Sequence, residues 1–163
     1  MSAQIVDSFE FCRSAEQASG STPVAEFKRL CADLAEPGGE LRWSFKGGKH
    51  ADGEPQLVME VAGEVRLVCQ RCLMPYAQAL QSRSTLVLAA DEAQADDIEE
   101  RLDDDSIDVI VGSKAMDLMV LVEDEALLSL PLSPRHEVCP GVVPASQDGK
   151  EESPFAMLKQ LKS

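Results

Sequence analysis

Aromatic side chains are scarce: they make up 4% of the 163 residues, with one Trp and one Tyr. The 44% of residues that are hydrophobic must therefore fill a core mostly with aliphatic groups. Long apolar runs are missing too. No stretch reaches the ~18 consecutive apolar residues of a membrane helix, and Met1 to Glu10 has no basic region ahead of an apolar one, so no secretory signal is read. Positive charge is in short supply, with 15 Lys and Arg against 29 Asp and Glu and a net charge of −14. That balance excludes a chain that coats nucleic acid with its whole surface, because counterion release needs clustered Lys and Arg. It leaves room for a local basic patch, for a basic partner drawn in by the acidic field, and for plain solubility. The sequence holds no Gly-rich phosphate loop, no nucleophile elbow and no Ser-His-Asp set. Of its two histidines, His50 lies in a polar loop and reads as solvent-facing. The length fits one domain, soluble and cytoplasmic, with no membrane and no small-molecule substrate expected.

The clearest pattern present is a strand. Leu57, Met59, Val61, Val65, Leu67 and Cys69 occupy odd positions, and Glu60, Glu64, Arg66 and Gln70 even ones. The parity holds across Gly63, so one long strand fits, with a bend plausible at the glycine. After Met74-Pro75, residues 76–88 resume strand character and return as the second arm of an antiparallel hairpin. Leu41, Trp43 and Phe45 alternate with Arg42, Ser44 and Lys46 in a shorter strand. Thr22 and Pro23 read as the cap and first position of a helix over 22–35. A second helix spans 114–130, capped by Ser113 or Asp117 and apolar around most of its circumference. Glu123, Asp124 and Glu125 interrupt it. Three successive residues fan through about 200° of a helix, so they cannot all share one solvent face. They read either as an acidic contact for a basic partner or as an anchor for Arg side chains. Asp91 to Asp105 holds nine acids and one Arg, and reads as a mobile loop because it has little apolar area to offset ordering. Residues 107–111 make a further short strand. The expected fold is α+β: an antiparallel sheet centred on the hairpin, covered by two helices, in a domain over residues 1–140. A flexible linker (141–152) then leads to an amphipathic tail (153–163). In that tail Phe155, Leu158 and Leu161 form an apolar stripe, with Lys159 and Lys162 outside it. A helix this short falls below the ~12–15 residues that stand alone, so it must dock on its own domain or on a partner.

Five cysteines are present. Cys12 and Cys31 lie in apolar surroundings and read as small core residues. Cys69 and Cys72 form a C-x-x-C at the hairpin tip, and His136 and Cys139 form an H-x-x-C in a Pro-rich segment. Two such pairs suit a tetrahedral structural zinc, with the tip as a zinc knuckle. Two alternatives stay open. A dithiol redox centre is one, although that motif typically opens a helix in a βαβ context. Reduced thiols with a packing role are the other.

Taken in order, several segments together resemble the YceD family of large ribosomal RNA subunit accumulation proteins. These are Val68-Cys69-Gln70-Arg71-Cys72, Leu121-Val122-Glu123-Asp124-Glu125 with Leu130-Pro131, His136 to Cys139, and the tail from Pro154 to Lys162. The resemblance covers residues 57–163. It implies a bacterial ribosome-biogenesis factor needed for synthesis, processing or stability of the large-subunit ribosomal RNA. Many relatives carry cysteines where His136 and Cys139 stand, which favours a metal site. On this reading the protein is not an enzyme, and binds pre-ribosomal RNA or an early large-subunit ribosomal protein. RNA contact is expected near the knuckle, at Arg66, Arg71 and Arg135, whose guanidinium forks suit phosphate. The acids Glu123, Asp124 and Glu125 and the tail would meet a partner. The rival readings are a metal-containing RNA-processing or redox enzyme, and an acidic adaptor that recruits such an enzyme.

Overall fold

A computed structural model describes residues 4–141; the tail and all but the first residue of the expected linker lie outside the described residues. In chain order the elements are β1 (Ile5–Val6), α1 (Ser8–Arg13), β2 (Gln17–Pro23), a 3-10 turn (Val24–Glu26), α2 (Lys28–Asp33), β3 (Glu40–Lys49), β4 (Pro55–Val68), β5 (Pro75–Ala89), α3 (Glu92–Leu102), β6 (Ile107–Val111), β7 (Met116–Asp117) and α4 (Leu118–Leu128). The architecture is α+β. Five strands form a sheet in the order β2-β3-β4-β5-β6, and β1 pairs separately with β7.

The odd–even pattern builds β4. Its register against β5 is unbroken from Gln56 opposite Val87 to Val68 opposite Pro75, and Leu57, Met59, Val61, Val65 and Leu67 are at most 2% exposed. Gly63 is needed for a close approach. A Cβ there would lie 2.6 Å from the carbonyl oxygen of Glu40 and 2.7 Å from Leu41 Cδ2 on the neighbouring strand. Leu41, Trp43 and Phe45 face the same core as the odd residues of β4, joined by Phe11 from α1, Leu30 from α2, and Leu118, Met119 and Val122 from α4.

Three expectations need correction. Residues 91–105 are not a loop, because most of them form α3. The Asp91 side chain accepts from the N–H of Gln94 at 2.9 Å, which supplies the cap. Ala95 and Ile98 then bury against Val87 and Ala89 on the face of the sheet opposite the main core. Two small contacts at helical spacing suffice because the receiving surface comes from β5 and β6, while the acids point outward to water. Next, the sheet is mixed rather than antiparallel throughout: β6 pairs parallel to β5 after the α3 crossover. Finally, Thr22 and Pro23 end strand β2 instead of opening a helix. Pairing of β2 with β3 claims their backbone, and the Thr22 hydroxyl accepts from Trp43 Nε1 at 3.0 Å. The helix expected there shrinks to α2. The longer helix starts at Leu118 with Asp117, one of the two expected candidates, as its cap.

Cys12 and Cys31 do pack as small side chains. Their thiols donate to the carbonyls of Gln56 and Val24, each at 3.2 Å. His50 sits in the β3–β4 turn with Nδ1 2.6 Å from Asp52 Oδ1.

Candidate metal centre

The hairpin tip is a six-residue connection, Cys69 to Met74, between β4 and β5. It is closed by the N–H of Cys69 on the carbonyl of Met74 at 3.0 Å and the N–H of Leu73 on the carbonyl of Cys69 at 2.9 Å. This fold-over turns Cys69 and Cys72 toward one point. It also puts Leu73 in the left-handed region, at φ 61°. The second pair arrives on the irregular segment after α4, where prolines prevent regular structure. The N–H of Gln70 donates to the carbonyl of Pro134 at 2.8 Å and latches that segment to the tip.

The four expected ligands converge. One donor atom from each of Cys69, Cys72, His136 and Cys139 lies within 4.8 Å of the others. Cys69 Sγ is 3.7 Å from Cys139 Sγ, and Cys72 Sγ is 3.3 Å from His136 Nδ1. With Zn–S near 2.3 Å and Zn–N near 2.0 Å, a tetrahedron has edges of about 3.8 Å between sulfurs and about 3.5 Å between sulfur and nitrogen. The set fits a four-coordinate zinc closed by protein ligands, with Cys69 and Cys139 buried. When bound, such an ion would act as a cross-link, and four protein ligands would leave no position for a substrate.

The electrostatics favour a cation. Burial pushes the Cys69 thiol up, but the backbone N–H groups of Cys72, His136 and Arg71 aimed at its sulfur outweigh this and bring it down to about 5. At Cys72 the N–H of Met74 favours the thiolate, yet burial and the thiols of Cys69 and Cys139 together push the group up. Crowded sulfurs cannot all ionise side by side, and a divalent ion among them removes that conflict.

Arg71 belongs to this centre. Its Nε donates to Cys139 Sγ and its guanidinium to the carbonyl of His136, both at 3.0 Å. The ring of Tyr76 lies 5.0 Å from that of His136, centroid to centroid. Sequence reasoning missed Tyr76; the signal for it was an aromatic one residue past the turn proline. Arg66 is exposed on β4, three positions before Cys69, and Arg135 is exposed beside His136 with its Nε 3.2 Å from Ser133 Oγ.

The acids of α4 lie elsewhere. Glu123 is buried and accepts from the N–H groups of Arg29 at 2.7 Å and Leu30 at 3.2 Å, at the start of α2. It also binds the Arg29 guanidinium at 2.9 Å, and Asp124 does so at 2.6 Å. Glu125 is buried and accepts from the hydroxyl of Ser82. The anchor reading therefore describes Glu123. Phe155, Leu158, Lys159, Leu161 and Lys162 fall outside the described residues.

Residues 57–162 match the family model described as large ribosomal RNA subunit accumulation protein YceD. The chain belongs to the YceD family. A Haemophilus influenzae protein named large ribosomal RNA subunit accumulation protein YceD is 36% identical over 123 residues, covering 67% of this chain and 68% of its own length. No solved structure gives a significant match. The span matched to the YceD model contains the hairpin, the four-residue cluster and α4. Among the described residues no helix is long and apolar enough to cross a membrane.

Proposed function

We propose that this protein is a ribosome-biogenesis factor of the bacterial cytoplasm that supports accumulation of the large-subunit ribosomal RNA by binding rather than by catalysis. The observation that carries this reading is the YceD match, both to the family model and to the Haemophilus influenzae relative. A structural zinc held by Cys69, Cys72, His136 and Cys139 fixes the tip of the hairpin. The closed ligand set supports a scaffold role rather than a reaction at the metal. The partner is pre-ribosomal RNA or an early large-subunit ribosomal protein. RNA would meet the knuckle, where Arg66 and Arg135 are exposed beside the tip. Arg71, turned onto the thiolates, supplies positive potential to the same surface while holding the metal loop.

A pull-down of the tagged full chain from cell extract, washed at low and high salt, tests this. Direct RNA contact predicts large-subunit RNA precursors at low salt and their loss at high salt. Changing Arg66 and Arg135 to Ala together should lower the recovered RNA severalfold and flatten its salt dependence, with the melting temperature unchanged. Recovery of basic large-subunit proteins without RNA would assign the protein-binding version. Recovery of neither would refute the proposal.

A further inference from the structure

A cleft of about 560 Å³ opens between α4 and the edge of the sheet formed by β6. Its apolar lining includes Met59, Leu86, Ile110 and Leu121, with Leu128 at its mouth. Leu128 is 82% exposed. Its rim is acidic, carrying Asp103, Asp104, Asp105 and Asp108 on one side and Asp124 on the other. An apolar lining beside an unpaired strand edge is a surface that folded proteins normally cover.

We infer that the segment 153–163 of this same chain docks in that cleft. The segment has the complementary chemistry in its sequence: Phe155, Leu158 and Leu161 are its large apolar side chains besides Met157, Lys159 and Lys162 give it positive charge, and it contains no acidic side chain. Apolar anchors on a short segment can fill an apolar groove. The lysines then meet the aspartates of the rim. The charge pattern also decides between surfaces. Leu73, Met74, Leu132 and Val138 are exposed as well, but they surround the knuckle, where exposed Arg135 stands beside the single acid Glu137 instead of the five aspartates of the cleft rim.

The connection is long enough. The eleven residues 142–152 reach about 36 Å when extended, against a radius of gyration of about 14 Å for a domain of this size. A tethered segment binds at millimolar effective concentration, which lets a modest docking site stay filled. A filled cleft also shields the β6 edge from strand pairing with other chains.

Photo-crosslinking tests this in the full chain, with a benzophenone amino acid replacing Phe155 and, in a second protein, Leu158. At micromolar concentration, cis docking gives intramolecular products on α4 or β6, mapped by mass spectrometry to the neighbourhood of Leu121, Leu128 or Ile110. Reversing Asp105 and Asp108 to Lys, both exposed, should cut the yield about fivefold, and reversing Lys159 and Lys162 to Glu should do the same. Products on the knuckle, products only between copies, or no product from either position would overturn the inference.

Discussion

Glu123 sits where two helices meet. The N-cap residue of α2 is Phe27, which offers no side-chain acceptor. Glu123 supplies one from α4 instead, and holds the Arg29 guanidinium with the same carboxylate. An acid in the middle of an apolar helix is therefore a cap delivered from outside. Removing it leaves the buried N–H of Leu30 and the half-buried N–H of Arg29 without their partner. Glu123→Ala should cost about 2–4 kcal/mol, whereas Asp124→Ala, on a half-exposed side chain, should cost under about 1 kcal/mol. Chemical denaturation of the two variants checks this, and equal losses would mean that Glu123 acts only as a surface charge. The sequence shows that the three acids cannot share a solvent face. Which of them turns inward depends on where α2 lies, and that is not written near α4.

At the scale of elements, the tight six-residue tip sets the conformation of its own residues. Leu73 adopts a left-handed backbone while exposing most of its side chain. Left-handed geometry costs a non-glycine residue roughly 1–2 kcal/mol. Leu73→Gly should raise stability by about 1 kcal/mol, read as a higher thermal midpoint. A fall would show that the Leu73 side chain contributes more than its backbone costs. Helix α3 shows the opposite dependence, on distant partners. Arg101 near its end reaches Asp52 at 3.0 Å and Glu54 at 2.8 Å on the β3–β4 turn. Asp52 is held below its ordinary carboxylate value, chiefly by the hydrogen bond from His50, with Arg101 adding to it. A carboxyl with a depressed folded-state pKa stabilises the fold above its ordinary range and loses that contribution as pH falls through the folded value. NMR titration should place Asp52 below 3.8, and amide exchange of α3 should quicken in that same acid window. A midpoint at or above 3.8 would show that His50 and Arg101 do not hold Asp52 in its charged form.

Across the whole molecule, the Cys/His cluster joins regions far apart in sequence. It ties the tip at residues 69–72 to residues 136–139 and, through the Gln70–Pro134 hydrogen bond, to the path leaving α4. Structural zinc is worth roughly 10–16 kcal/mol of apparent binding free energy in small finger peptides, and even a fraction would show in a domain this size. Protein purified under reducing, chelator-free conditions should carry about one zinc, less after Cys139→Ser. Adding chelator should lower the melting temperature and release protection at the tip and residues 130–139 first. Metal analysis finding none, or a chelator with no effect, would reduce the cluster to packed thiols.

The long hairpin and the pairing of Cys69 and Cys72 with His136 and Cys139 were legible in the residues themselves. A period of two over thirteen positions can bury only one face of a strand, and paired ligands at a spacing of three converge wherever the chain turns tightly. α3, the parallel strand β6, the Thr22 strand end and the inward turn of Glu123 were not legible. Each is stabilised by a surface on another element: Val87 and Ala89 for Ile98, β3 for Thr22, the open start of α2 for Glu123. Local patterning fixes what a segment offers for burial. Only the assembled tertiary structure decides what receives it, because burial free energy belongs to the pair of surfaces and not to either one alone.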